Sequence, residues 1–372
     1  MRLDNNQKAF LTLARAGLWE NDSSLSVFDK IDLKIIYQYA QEQSVVGLVA
    51  AGLEQVKGAK FPKEEVLTII GEALQLEQRN KAMNDFISVI VEKMRTADIY
   101  SLLLKGQGIA QCYERPLWRA CGDVDFFLSD SNYQAAKSYL TSHASHVDEE
   151  NAYNKHLAMT IDPWTVELHG SLRGGLWKKV DKVLDEVQND IIYGGAVRSW
   201  MNGQTQVFLP NANEDVVFVF THILQHFYRG GIGLRQICDW CRLIWTYKDT
   251  INKNMLENRL KMMGLMSEWK TFSALAVSSL GMTADAIPFY SSNPKWERKA
   301  KRVLDIILET GNFGHNRDSS YYEKYPYVLY KIISLWQNTK DTVKHMGIFP
   351  IDSIRIWGLM IKDGATAVFK GK

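Results

Sequence analysis

Residues 122–128 read Gly122-Asp123-Val124-Asp125-Phe126-Phe127-Leu128. An apolar run of this kind, entered from a glycine, predicts a buried β-strand. Side chains alternate along a strand, so Asp123 and Asp125 share one face. Two carboxylates on one face of a core strand repel each other and lose hydration, which is costly unless a cation stands between them. The pair therefore points to a divalent metal, and with it to phosphate chemistry.

Upstream, Tyr100-Ser101-Leu102-Leu103-Leu104 is a second short apolar run, ending at Lys105-Gly106-Gln107-Gly108. It predicts a buried strand that turns into a helix over residues 108–112. Glycines let a phosphate approach the backbone, and the Lys105 ammonium adds positive charge. Beyond the Asp123 strand, Ser131 is a candidate cap for a helix over 133–141. His156–Ile161 and residues 165–169 then alternate with period two around the turn Asp162-Pro163-Trp164, so an antiparallel hairpin is expected. Glu167 lies between Val166 and Leu168 and faces away from them, with His169 on its own side. If that strand lies near the Asp123 strand, Asp123, Asp125 and Glu167 converge. Such acids can share two magnesium or manganese ions about 3.5–4 Å apart.

Around this centre the chain divides into three. Residues 1–96 read as a helical region, with helices over 31–43 and 45–56 and a long one from Pro62-Lys63-Glu64-Glu65 to about Thr96. Residues 97–210 carry the β-α-β-α-β-β pattern, a helix over 177–188 and a last short strand over 204–209. Residues 211–372 read as almost all helix, interrupted near 248–251, at Pro288 and Pro294, over 311–320 and at Pro350. The expected class is α+β: a small mixed sheet with helices on one side, flanked by N-terminal and C-terminal helical regions.

The 372 residues are 46% hydrophobic, enough for two or three packed units. Lys plus Arg number 44 against 42 Asp plus Glu, a balance that leaves no footprint for a large nucleic-acid surface. The four cysteines fit no secreted disulfide pattern, and Cys238-Asp239-Trp240-Cys241 has no second CxxC to complete a zinc site. Charges interrupt every apolar run before it reaches membrane-spanning length, and residues 1–4 carry no signal-peptide pattern. A soluble protein of the reducing cytoplasm is expected, without a membrane partner.

Leu104-Lys105-Gly106, then Arg119-Ala120-Cys121-Gly122-Asp123-Val124-Asp125, then Glu167 resembles the DNA polymerase β-type nucleotidyltransferase superfamily. Within it, the chain is similar to a poorly characterised bacterial group. The resemblance covers Leu102 to Leu128 closely and extends to His169. It implies that Asp123, Asp125 and Glu167 hold Mg2+ or Mn2+, and that Lys105, Gly106, Gln107 and Arg119 bind an NTP such as ATP. It also implies that a hydroxyl of a small molecule or a protein receives the NMP and pyrophosphate leaves. The superfamily's usual serine after Gly106 is Gln107 here. The charge balance argues against a nucleic-acid acceptor. The competing reading is a catalytically inactive scaffold that binds a nucleotide or a partner on the same fold.

Several residues remain open between site and structure. Arg119 is a phosphate ligand or a structural ion pair. His169 contacts substrate or is a hydrogen-bonded structural histidine. His222 and His226, four apart on a helix, share a face without the glutamate of a zinc protease, and pack in the core or wall a substrate pocket. Arg235 and Asp239 have the spacing of an intrahelical ion pair. Residues 311–317, Gly-Asn-Phe-Gly-His-Asn-Arg, form an interhelix loop or close over a nucleotide. The Trp and Tyr residues of the last hundred positions are expected in the core.

Overall fold

The computed structural model of the chain describes residues 3–57, 61–317 and 324–369. Three helices open it: α1 (Asn5–Trp19), α2 (Leu33–Glu42) and α3 (Val46–Gln55). Asp4 caps α1 by accepting from the Gln7 amide at 2.8 Å, while the Gln7 side chain accepts from the Asp4 amide. Two-residue strands β1 (Ser23–Ser24) and β2 (Val56–Lys57) pair in parallel beside them.

Helix α4 (Lys63–Thr96) begins after Pro62, with Glu64 and Glu65 in its first turn and Lys93 and Arg95 in its last. Both ends thus complement the helix dipole. Its buried stripe includes Ile69, Ala73, Asn80, Met83, Ile87 and Met94, recurring every three, four or seven residues. That stripe covers a sheet built from the next elements: β3 (Leu102–Leu104), α5 (Gly106–Ala110), β4 (Asp123–Phe127), α6 (Asp130–Thr141), β5 (His146–Val147), β6 (His156–Ile161), β7 (Trp164–His169), α7 (Lys178–Ile192), β8 (Val197–Asn202) and β9 (Thr205–Pro210).

The seven strands lie in the order β5-β6-β7-β4-β3-β9-β8. Strands β4 and β7 run parallel, β3 and β4 antiparallel, and β6 and β7 form the expected antiparallel hairpin. Leu103, Val124, Phe126, Leu157, Met159, Val166 and Leu168 pack on one side of the sheet against α4 and α6. Alternation puts Asp123, Asp125, Glu167 and His169 on the other.

The α+β class stands, with a mixed sheet and flanking helices. Helices occupy both faces, because the acid-bearing face is roofed by α8 (Ala212–Arg229) and α9 (Leu234–Tyr247), which follow β9. Then come α10 (Lys253–Met263), α11 (Met266–Leu280), α12 (Pro294–Thr310), α13 (Tyr327–Met346) and α14 (Pro350–Phe369). Phe220, Trp240 and Trp269 form an aromatic centre in this half, with ring centroids 4.9–5.4 Å apart. Helix α1 joins the same core, and Trp19 Nε1 donates to Leu280 O at 2.6 Å.

The structure differs from expectation in four places. Strand β8 pairs along all of β9, yet its sequence Val-Arg-Ser-Trp-Met-Asn has no buried residue. An edge strand held by its backbone leaves little apolar signal. Helix α6 starts after Ser129 rather than Ser131, α5 has its expected five residues but begins two positions earlier at Gly106, and β3 is shorter than the expected 100–104 run. In the last hundred positions Trp336 is 61% exposed and Tyr325 44% exposed. Tyr321, Tyr322 and the end of the expected 311–320 break lie outside the described residues.

All four cysteines are buried free thiols, Cys238 and Cys241 within α9. No helix among the described residues is long and apolar enough to cross a membrane.

Candidate active site

Strand register builds the site. Asp125 pairs directly with Glu167, and Leu104 with Asp125, so the end of β3 delivers Lys105 beside the acids. The turn there is sharp: Lys105 has φ 47° and Gly106 φ 44°. A lysine in that backbone region is strained by about 1–3 kcal/mol, a cost that tertiary contacts must offset. A Cβ on Gly106 would stand 3.3 Å from Cys121 Sγ, so glycine serves both the dihedral and the close approach of the Cys121–Asp123 segment.

The Lys105 ammonium sits 2.9 Å from Asp125 Oδ1, and Asp125 is 1% exposed. His169 Nε2 donates to the same oxygen at 2.8 Å and lies 3.4 Å from Glu167 Oε2. His156 Nε2, from the neighbouring β6, donates to Glu167 Oε2 at 3.0 Å. Lys105 also reaches His222 Nε2 at 3.2 Å, and His226 Nε2 stands 3.2 Å beyond. Sheet, turn and α8 thus meet in one polar cluster.

Its electrostatics follow from burial and charge sign. Asp123 has its carboxyl pushed up, first by the Asp125 charge and then by burial. Burial alone would raise Glu167 too, but hydrogen bonds from His156 and His169 outweigh it and hold that carboxyl well below the usual range. Burial opposes charge on Lys105, yet Asp125, Asp123 and Glu167 together raise its pKa. His169 is likewise raised against burial by its bonds to Asp125 and Glu167. His222 and His226 go the other way, lowered by burial and by the Lys105 charge, His226 to about 4. Both are neutral imidazoles at neutral pH.

Asp123, Asp125 and Glu167 are hard oxygen donors of the kind a divalent cation takes, whereas the three donors whose ligand atoms all lie within 4.8 Å of one another among the described residues are His156, Glu167 and His169. Asp123, Asp125 and Glu167 point their oxygens from one sheet face, and the mutual repulsion that raises Asp123 is what a cation relieves. No hydrogen bond or ion pair ties the Asp123 carboxylate among the described residues.

The cleft is narrow, about 50 Å³ in volume, and is lined by Lys105, Gly106, Asp123, Asp125, His222 and Arg235, among others. Arg119 and Asp239 also border it, locked together: Arg119 Nε and Nη2 donate to the two Asp239 oxygens at 3.0 and 2.6 Å, both side chains being buried. Tyr113 donates to Asp239 as well, at 2.7 Å. This corrects the expected Arg235–Asp239 pair, because α9 turns Asp239 toward the loop before β4. Gln107 is brought elsewhere. Its amide donates to Asn80 Oδ1 at 2.8 Å and to Met83 Sδ, fastening α5 to α4 on the far side from the acids.

Two residues of this polar cluster and its cleft escaped the sequence reading. Arg235 donates from Nη1 to Ala120 O at 2.8 Å, while its Nε has no partner among the described residues. No carboxylate is ion-paired with it, and burial and the Arg119 charge lower its pKa. The intrahelical spacing to Asp239 concealed it. His156 escaped because only strand pairing sets it opposite His169. The 311–317 loop does reach the cleft through Phe313, whose ring lies 5.0 Å from that of His226, whereas Arg317 turns to Asp341 at 2.6 Å.

No curated protein and no solved structure matches the chain. A family model described as uncharacterised nucleotidyltransferase matches residues 29–278, a span from before α2 to within α11 that includes the whole sheet and the cleft residues of α8 and α9. The chain belongs to that uncharacterised nucleotidyltransferase family.

Proposed function

We propose that this chain is a metal-dependent nucleotidyltransferase of the DNA polymerase β type, moving an NMP from an NTP to a hydroxyl of a small molecule or a protein and releasing pyrophosphate. The observation that carries the reading is the register Asp125↔Glu167, with Asp123 on the same face and Lys105 delivered to it. Mg2+ or Mn2+ held by Asp123, Asp125 and Glu167 would supply charge neutralisation to the triphosphate and a more acidic acceptor hydroxyl.

The chain's own groups do the rest. The Lys105 and Arg235 cations offset charge that develops on the phosphate oxygens. The positive-φ turn at Lys105-Gly106 keeps side chains away from the phosphate path. Arg119 keeps one uncommitted nitrogen, Nη1, at this wall, and Asp239 holds its orientation. Phe313, 53% exposed at the rim, offers a face on which a nucleobase can stack. His222 and His226 wall the cleft in neutral form, so they add no charge that would compete for the phosphates. In this reading residues 97–210 carry the acids and Lys105, while α8, α9 and Phe313 of 211–372 wall the same cleft and α4 of 1–96 backs the opposite face of the sheet. The test is an α-labelled NTP with Mg2+ and a cell extract. Label should move to an acceptor with wild type and not with Asp125→Asn. Full label transfer by Asp125→Asn would sink the mechanism.

A second reading has one observation in its favour: the Asp125 carboxylate is paired to both Lys105 and His169. A self-neutralised site suits a nucleotide-binding scaffold that does no chemistry. Thermal shift with each NTP, with and without Mg2+, separates the two. Only the enzyme reading expects the shift to need the metal and to vanish in Asp125→Asn.

A further inference from the structure

We propose that His156, Glu167 and His169 form a binding site for a divalent transition metal of the Co2+ or Zn2+ class, adjoining the Asp123–Asp125 pair. This inference goes beyond nucleotidyl transfer and does not depend on it. The ligand atoms of the three residues all lie within 4.8 Å of one another. The two carboxylate–imidazole edges, from Glu167 Oε2 to His156 Nε2 and to His169 Nε2, are 3.0 and 3.4 Å. Metal–ligand bonds of about 2.0–2.2 Å in tetrahedral array put ligand atoms about 3.3–3.6 Å apart. Two of the three edges therefore stand close to the lengths such a shell requires, and the third lies within 4.8 Å.

The backbone explains the spacing. His156 is the direct cross-strand partner of His169, and Glu167 lies two residues before His169 on the same face. Their ring centroids are 4.8 Å apart, a separation held by β6–β7 pairing rather than by loops. Sites on strands hold ligand geometry better than sites on loops. Two imidazoles and one carboxylate with the remaining positions open is a donor set for borderline-soft transition metals, whereas Mg2+ prefers oxygen. His156 and His169 are half-buried to buried, with side chains 33% and 15% exposed, so a small ion can enter without unfolding the hairpin. Asp125 Oδ1 lies 2.8 Å from His169 Nε2, so the nitrogen-bearing subsite and the all-oxygen one share a border, and a metal ion bound there takes the place of the Nε2 protons that His169 gives Asp125 and His156 gives Glu167, which leave to solvent.

The experiment is a Co2+ titration of the full chain, stripped with EDTA and free of nucleotide, followed by visible absorption. The expected result is a saturable d–d spectrum of low coordination number, displaced by Zn2+ and not by excess Mg2+. His156→Ala and His169→Ala should weaken binding by more than the roughly 10–100-fold that outer-shell changes cost. Asp123→Asn, outside the three ligands, should keep the spectrum. If His156→Ala does not fold, His156→Gln removes the ring nitrogen and keeps an amide to bond Glu167. An absent spectrum in wild type, or one unchanged in the folded His156 variant, overturns the proposal. A chain that gives the Co2+ spectrum but never releases pyrophosphate overturns the nucleotidyltransfer reading alone; pyrophosphate release without the spectrum overturns this one alone.

Discussion

The Lys105 ammonium lies 2.9 Å from Asp125 Oδ1, a carboxylate only 1% exposed on the central strand β4. Removing one partner of a buried pair leaves the other uncompensated, at a cost of up to about 3–5 kcal/mol. His169 also bonds Asp125 and softens that loss. Lys105→Met should therefore lower stability in urea when metal is absent, and added Mg2+ should restore part of it. A variant as stable as wild type in EDTA would show that the pair contributes little.

Asp123 behaves in the opposite sense. Its folded-state pKa is raised by Asp125 and by burial. A raised carboxyl destabilises the fold when ionised, so stability is greatest below the unfolded pKa and falls as pH rises through the folded one. Asp123→Asn should therefore melt at or above the wild-type temperature at pH 7, with the difference vanishing near pH 4, while NMP transfer is lost. Melting curves at pH 4 and 7 beside a pyrophosphate assay decide it.

Arg119 and Arg235 can be told apart. The Arg119–Asp239 pair is buried and two-pronged, so Asp239→Asn should cost about 3–5 kcal/mol of stability. Arg235 is ion-paired with no carboxylate among the described residues, so Arg235→Ala should cost only its bond to Ala120 O, about 1.5–3 kcal/mol and less than Asp239→Asn. A charge-assisted bond to phosphate is worth about 1.5–3 kcal/mol, which predicts an increase in the NTP KM of roughly 10–100-fold. Equal KM values would remove Arg235 from the phosphate site.

His345 supplies a pH dependence away from the cleft. It is 3% exposed against Phe227 and Tyr228, and burial with the Arg317 charge lowers its pKa to about 3. The unfolded chain protonates it near 6.5, so stability falls as pH drops from about 6.5 toward 3. At pH 5 the loss from this residue is about 2 kcal/mol. His345→Gln should flatten the decline between pH 7 and 5 by that amount, measured by urea unfolding. Parallel curves for the two proteins would show that His345 titrates alike in the folded and unfolded chain.

Much of the arrangement is written locally. The 34-residue helix α4 ends at the expected Thr96, because its stripe and terminal charges are contained in its own sequence. The hairpin β6–β7 and the strand β4 are legible for the same reason: alternation is a local pattern. Strand β8 was not, because its residues are not buried and only pairing with β9 holds it.

For the site, sequence alone determined which side chains share a face: Asp123 with Asp125, Glu167 with His169, His222 with His226. Those relations follow from the periods of strand and helix, which the chain carries wherever it folds. Only tertiary structure decided which faces meet. It set Asp125 opposite Glu167, turned Asp239 from Arg235 to Arg119, carried Gln107 to Asn80 and brought His156 beside His169. Strand order and helix docking are long-range choices, made by burying Val124, Phe126, Val166 and Leu168 together under α4. No period in the sequence encodes that partnership.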